Sequence, residues 1–213
     1  MINTVEFKTL HDNGNILCFI GNSHITKEMF KYFNAYRACE QRRYEDILTQ
    51  DKSWVNNRQF IVLANSTQFK KTVVDGLSHL APNYFSIYST TNHLADITVG
   101  KGVLIHAFNL IADGVIIGDH TVITDHTMLS QRVIVKDFCH ISPFSQILVS
   151  TVGTGCYLAA RTSIVGTQAN PTIIADYCNF IIGSTVTKNI TSPGTYFGNR
   201  QLNKLTSLDT KID

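Results

Sequence analysis

The sequence predicts a chain in two parts, a small parallel α/β domain followed by a parallel β-solenoid. Three observations carry that expectation. Short apolar runs alternate with helical patterns between Asn15 and Tyr88. From about Asp96 aliphatic residues recur at every sixth position. Only 16% of the residues are charged while 44% are hydrophobic; ordinary domains carry about 25% charged residues, and a disordered chain would be charge-rich and apolar-poor.

The first part is read element by element. Asn15 to Ile20 is an apolar run ending at Gly21-Asn22, a strand followed by a turn. Ile25, Met29, Phe30, Phe33 and Tyr36 fall at helical spacing. Gln59 to Ala64 reads as a second buried strand. Ser66 opens a helix with Phe69, Val73, Val74, Leu77 and Leu80 on one side, and Pro82 stops it. Tyr84 to Tyr88 reads as a third strand. The polar stretch 37–57 shows no period. Strands alternating with helices imply a parallel α/β sheet.

The second part has a different grammar. Val99, Ile105, Ile111, Ile117, Ile123, Leu129, Val135, Ile141 and Ile147 are spaced by six, and the series slips by one to Val152 before Leu158 and Ile164. Residues four positions later, such as Val103, Thr121, Cys139 and Ser145, are small or modest in size. Neither an α-helix nor a simple strand has this period. A solenoid whose triangular coil uses three hexads does. Stacked positions then lie three hexads apart, so Ile105, Ile123 and Ile141 should sit above one another, in roughly four coils. Thr167 to Thr172 breaks the period and should form an external loop.

Composition excludes several classes. The net charge is +2 and no long basic block exists, so nucleic-acid binding has no electrostatic support. No run of about 18 apolar residues offers a membrane span, and Met1 to Phe7 lacks a signal-peptide core. The 5 cysteines form no CxxC pair, which points to free thiols and a cytoplasmic location.

Val99 to Pro143 and Val152 to Ile190 resemble the left-handed β-helix acyltransferases of the sialic-acid O-acetyltransferase and bacillosamine N-acetyltransferase type. The segment Val135 to Pro143, ending in His140-Ile141-Ser142-Pro143, closely matches the family's own. The resemblance implies a Rossmann-like nucleotide-sugar domain over residues 1–92 and a left-handed hexapeptide-repeat β-helix over 93–213, with its external loop near 167–172. It also implies a homotrimer, with acetyl-CoA in a groove between two β-helices and a UDP-linked amino sugar reaching that groove from the N-terminal domain. The usual product is an acetamido sugar for cell-surface polysaccharide such as O-antigen.

Relatives carry a catalytic histidine nine residues before the histidine matched by His140. Here Gln131 stands at that position, followed by Arg132. A neutral amide takes no proton near pH 7. A hydroxyl nucleophile would suffer from that loss, whereas a partly neutral sugar amine attacks a thioester unaided. The expected activity is therefore N-acetylation of a UDP-linked amino sugar of the 4-amino-4,6-dideoxy type, with Gln131 contacting the amine or a water. A non-catalytic trimeric scaffold and an O-acetyltransferase of a sialic-acid-like sugar are the alternatives.

The resemblance also assigns the remaining site residues. His140 matches a second active-site histidine, and Thr124 stands where relatives have asparagine. Val149, Ser150, Ile182, Gly183, Lys188 and Arg200 fall at acetyl-CoA positions. Gly21, Asn22, Ser23 and His24, then Asn65 and Glu40, fall at nucleotide-sugar positions; helix N-termini after such strands offer free N–H groups to phosphate. Asp125 and His126 either relocate the base or are solvated corner residues. His106, His120, His126 and His140 match no established zinc spacing, and no metal is expected.

Overall fold

The computed structural model describes residues 5–202. The chain begins with β1 (Phe7–Leu10) and β2 (Ile16–Ile20). Helix α1 (His24–Asn34) starts where Ser23 caps it, its side chain accepting the Thr26 N–H. The aperiodic stretch 37–57 folds as β3 (Cys39–Arg42) and two short helices, α2 (Tyr44–Leu48) and α3 (Lys52–Val55). There follow β4 (Arg58–Val62), α4 (Thr67–Leu77, capped by Ser66), β5 (Asn83–Tyr84) and β6 (Ser86–Ser89).

Strands β3, β2, β4 and β5 form a parallel sheet in that order. Because side chains alternate along a strand, Leu17 and Phe19 face Met29 and Phe33 of α1. Cys18 and Ile20 face Val73 and Leu77 of α4 on the opposite side. The expected single strand from Tyr84 to Tyr88 is two strands. Phe85, fully buried, gives its N–H to Phe60, while Ile87 gives its N–H to Val103 in the solenoid. Within two residues the chain changes sheets.

The second part is a three-sided parallel β-helix built from sheets of nine, six and five strands. Ile105, Ile123, Ile141, Leu158 and Phe180 are stacked in register, as the period requires. All are buried to 1% exposure or less. There are five complete coils and part of a sixth among the described residues, more than the four expected. The repeat starts earlier than Val99, with His93–Leu94, and continues past the loop between Val165 and Thr172. The slip after Ile147 moves the inward position from Thr151 to Ser150, which is buried.

Each corner turns through a residue in the left-handed region. Phe108, His126, Phe144 and Arg161 do so at one corner and His120, Phe138 and Tyr177 at another, with φ between 55° and 61°. Aspartates join successive coils. Asp119, Asp125, Asp137 and Asp176 accept the N–H groups of Lys101, Ala107, Asp119 and Thr154 at 2.8–3.0 Å, satisfying donors that the turns leave free. The approach is close enough that a Cβ on Gly118 would lie 2.4 Å from Asp137 Oδ1.

The nine-stranded face is covered. Its outward-facing Leu104 and Val122 pack with Phe19, Leu63 and Phe85 of the N-terminal part. The same sheet runs on into that part: β6 pairs with Leu104–Ile105, and β1 pairs antiparallel with β6. At the far end Arg200–Gln201 folds back antiparallel on Gly194–Phe197.

Candidate functional site

Two depressions hold some of the residues expected to bind ligands, Gly21 and Asn22 in one and Gln131 and Val149 in the other. The first, about 450 Å3, lies at the C-terminal ends of β2 and β4 and is lined by Gly21, Asn22, Arg43, Tyr44, Ala64 and Phe69 among others. In the order β3-β2-β4-β5 the chain leaves β2 through α1 toward one edge and leaves β4 through α4 toward the other. The crevice opens where these directions diverge, the place where open α/β sheets bind ligands. Gly21 brings the two strand ends together. Its φ is +135°, and a Cβ there would lie 2.5 Å from the Leu63 carbonyl oxygen.

Ser23 Oγ and Thr26 Oγ1 both donate to that carbonyl, at 3.2 and 2.8 Å. His24 and Asn22 are exposed at the mouth of the first turn. Asn65 lines a smaller adjoining recess between the start of α4 and Tyr157 and Tyr177. Glu40 stands apart from the crevice. It is held by Arg58 at 2.8 Å and Arg42 at 3.1 Å, and the Arg58 hydrogen bond, followed by the arginine charges, lowers its pKa.

The second depression, about 550 Å3, runs along the corner between the six- and five-stranded sheets. Gln131 and Arg132 are exposed there beside Leu110, Met128 and Val149. Gln168 reaches it from the external loop, and His93, which sequence patterning does not single out, stands in the same groove. The Val149 N–H, one of the expected thioester contacts, donates to Ser130 Oγ at 3.0 Å. Ser150 is buried with its hydroxyl on the Leu148 carbonyl. Ile182 and Gly183 occupy a different corner, where the Gly183 N–H donates to Ala160. Lys188 donates its N–H to Asn199, and Arg200 lies exposed in the terminal hairpin.

His140 does not meet Gln131 within one chain. It points outward from the nine-stranded sheet beneath α4, with 7% exposure and its ring 5.4 Å from that of Tyr157. Burial, reinforced by the Lys70 charge, pulls its pKa to about 3, so the ring is neutral at physiological pH. Thr124 gives its hydroxyl to the Ile141 carbonyl at 3.0 Å.

Asp125 is a coil-joining carboxylate that also binds His106 Nδ1. Glu28 of α1 faces the other ring nitrogen at 3.5 Å. Burial lowers the His106 pKa, but the Asp125 bond and the two carboxylate charges outweigh it and leave it raised. His126 stacks, exposed, between Phe108 and Phe144. The sequence set Asp125 beside His126; the fold pairs it with His106 in the coil before, a partner that no local spacing reveals. Among the described residues no group of three His, Cys, Asp or Glu converges as a metal site, and no helix is long and apolar enough to cross a membrane. A further depression, about 980 Å3 between β1 and α1, holds none of the expected residues.

No protein-family model matches the chain, and no curated protein matches its sequence. Solved structures do match its shape. The acetyltransferase domain of PglB from Neisseria gonorrhoeae aligns at TM-score 0.77 and 13% identity over 89% of this chain and 100% of that one. A mutant of GDP-perosamine N-acetyltransferase from Caulobacter crescentus, in complex with CoA and GDP-perosamine, aligns at 0.74 and 13% over 90% and 97%. WeeI from Acinetobacter baumannii aligns at 0.70 and 18% over 88% and 99%. The chain therefore has the fold of these proteins, and its mostly parallel sheets of short strands fit a left-handed β-helix.

Proposed function

We propose that the chain is an acetyl-CoA-dependent sugar N-acetyltransferase acting as a homotrimer on a nucleotide-linked amino sugar. The observation that carries this reading is Gln131, an amide placed in an open groove of a fold shared with sugar acetyltransferases. An amide neither accepts nor delivers a proton at neutral pH, so the nucleophile must arrive with a free lone pair. A sugar amine does. Its nitrogen attacks the thioester carbonyl, the bond to sulfur breaks from the tetrahedral oxyanion, and the ammonium proton passes to water. Backbone N–H groups suit the oxyanion, and the departing thiolate needs no acid, since thiols ionise near pKa ~8.5.

The crevice at Gly21 and Asn22 takes the nucleotide in this reading, its pyrophosphate toward the start of α1. The N-terminal domain covers the nine-stranded face, and Gln131 lies at the corner opposite. One chain cannot bring the two together, so the reading needs a neighbouring copy. Exposed Leu110, Ile116, Ile134 and Ile173 on the two faces that meet at the Gln131 corner supply apolar surface for that contact. His140, held neutral by burial, offers the ligand a hydrogen bond and no proton transfer in this reading.

The test is thiol release from acetyl-CoA with UDP- and GDP-linked 4-amino sugars and their hydroxyl analogues side by side. Turnover with amines alone is expected. Gln131→Ala should lower kcat/KM about tenfold, the loss of one hydrogen bond of ~1.4 kcal/mol. Turnover only with hydroxyls, no turnover with any acceptor, or a monomer in solution would overturn the reading.

A further inference from the structure

Lys70 is the least expected residue in the molecule. It lies on α4 with no exposed surface, and a charged lysine is almost never buried without a partner of opposite charge. Among the described residues its amine makes one hydrogen bond, to the His120 carbonyl at 2.9 Å, and no carboxylate pairs with it. The groups around it are poorly satisfied as well. His120 Nδ1 and His140 Nδ1 are buried without a hydrogen-bond partner.

We propose that Lys70 is a proton-controlled positioning residue, whose amine sets how tightly α4 is held on the solenoid. The amine ties α4 itself to the solenoid, which this helix also meets through the Thr67 hydroxyl on the Gly155 carbonyl and Lys71 over the Phe138 ring. α4 is capped by Ser66, directly after Asn65, so its seating fixes the loop assigned above to the nucleotide sugar; that consequence rests on the proposed function.

The titratable surroundings favour the neutral amine. From the solenoid His120, His140 and Cys139 face it, with Asp119 beyond His120. From α4 Asp75 is already paired with Lys71. From β5 the Tyr84 ring packs at 4.5 Å against that of His120. Both imidazoles are held neutral by burial. Burial pulls the Lys70 pKa from its ordinary 10.5 to about 7, opposed only by Cys139. An amine released into water regains its ordinary value. Docked α4 thus binds fewer protons than released α4 between pH 7 and 10.5, and seating strengthens as pH rises through that interval.

Hydrogen exchange of the α4 amides at pH 7, 8 and 9, corrected for the intrinsic rate, reads the opening of this helix. In the full chain opening should fall about fivefold from pH 7 to 8 and about ninefold from pH 8 to 9. In Lys70→Met, which keeps the volume and cannot titrate, it should not change with pH. Lys70→Gln serves if the Met variant does not fold. UDP and GDP binding by calorimetry over the same interval should tighten in the native chain and stay level in the variant. A flat native profile, or the same slope in the variant, overturns the proposal. Failure of both nucleotides to bind at any pH would count against the proposed function instead, and the exchange slopes would still decide the role of Lys70.

Discussion

Gly21→Ala tests whether the crevice is built on a backbone approach that no side chain permits. The effect has two parts. A φ of +135° is essentially confined to glycine, and holding another residue in such a region costs about 1–3 kcal/mol. The added methyl would also stand 2.5 Å from the Leu63 carbonyl oxygen and 2.9 Å from Thr26 Oγ1. Leu63 is fully buried after β4, so relief means moving the strand end or losing the hydrogen bonds that Ser23 and Thr26 make to that oxygen, each worth about 1 kcal/mol. Together the loss is about 3–5 kcal/mol, which for a chain of this size lowers Tm by about 6–20 °C.

Gly14→Ala is the control. Its φ is +85°, but nothing lies within 4 Å of where the new methyl would stand, so only the conformational part remains, about 1–2 kcal/mol. Thermal unfolding followed by circular dichroism, with the single Trp54 reporting on the N-terminal part, separates the two. Equal shifts for both variants, or a Gly21→Ala protein within about 2 °C of the native Tm by the scale just given, would refute the argument that strand approach shapes the crevice.

Two further outcomes follow from the solenoid and its seam. Phe180→Ala removes a fully buried ring from the stacked interior column and should cost about 3–5 kcal/mol in urea denaturation. Acid should destabilise the protein in a defined window: His120 and His140 are pulled by burial from 6.5 to about 4 and about 3. The unfolded chain then binds more protons below pH 6.5, and stability falls as pH drops from 6.5 toward 4. His106 acts oppositely: its raised pKa gives stability that is present below its ordinary 6.5 and lost as pH climbs through the raised value, so in Asp125→Asn the denaturant midpoint should fall less on raising the pH above 6.5 than it does in the native chain.

The interior of the β-helix was legible because a period of six survives in every inward aliphatic position from Val99 to Ile147. The corners were not. Left-handed turns usually advertise themselves with glycine or asparagine, but here His120, His126, Phe138, Phe144, Arg161 and Tyr177 take that conformation. Stacking of rings such as His120 on Phe138 and His126 on Phe144 accompanies it. The division of Tyr84 to Tyr88 was hidden because both halves look equally like strand; only the competing acceptors Phe60 and Val103 separate them. Lys70 was invisible for a similar reason. On a helical wheel it reads as solvated, and only the packing of two distant segments buries it. The crevice residues at Gly21 and Asn22 were readable, since a strand, a tight turn and a capped helix follow one another locally.

The continuous ladder from β1 through β6 into the first coil bears on how such a protein can be recombined. A front module exchanged at residue 92 would carry away the strand that Leu104–Ile105 pairs with, leaving raw hydrogen-bonding groups open to any passing chain. A workable chimera has to keep 7–10 and 86–89 with the solenoid and graft the replacement between them, as an insertion into a loop of the β-helix and not as a bead strung in front of it.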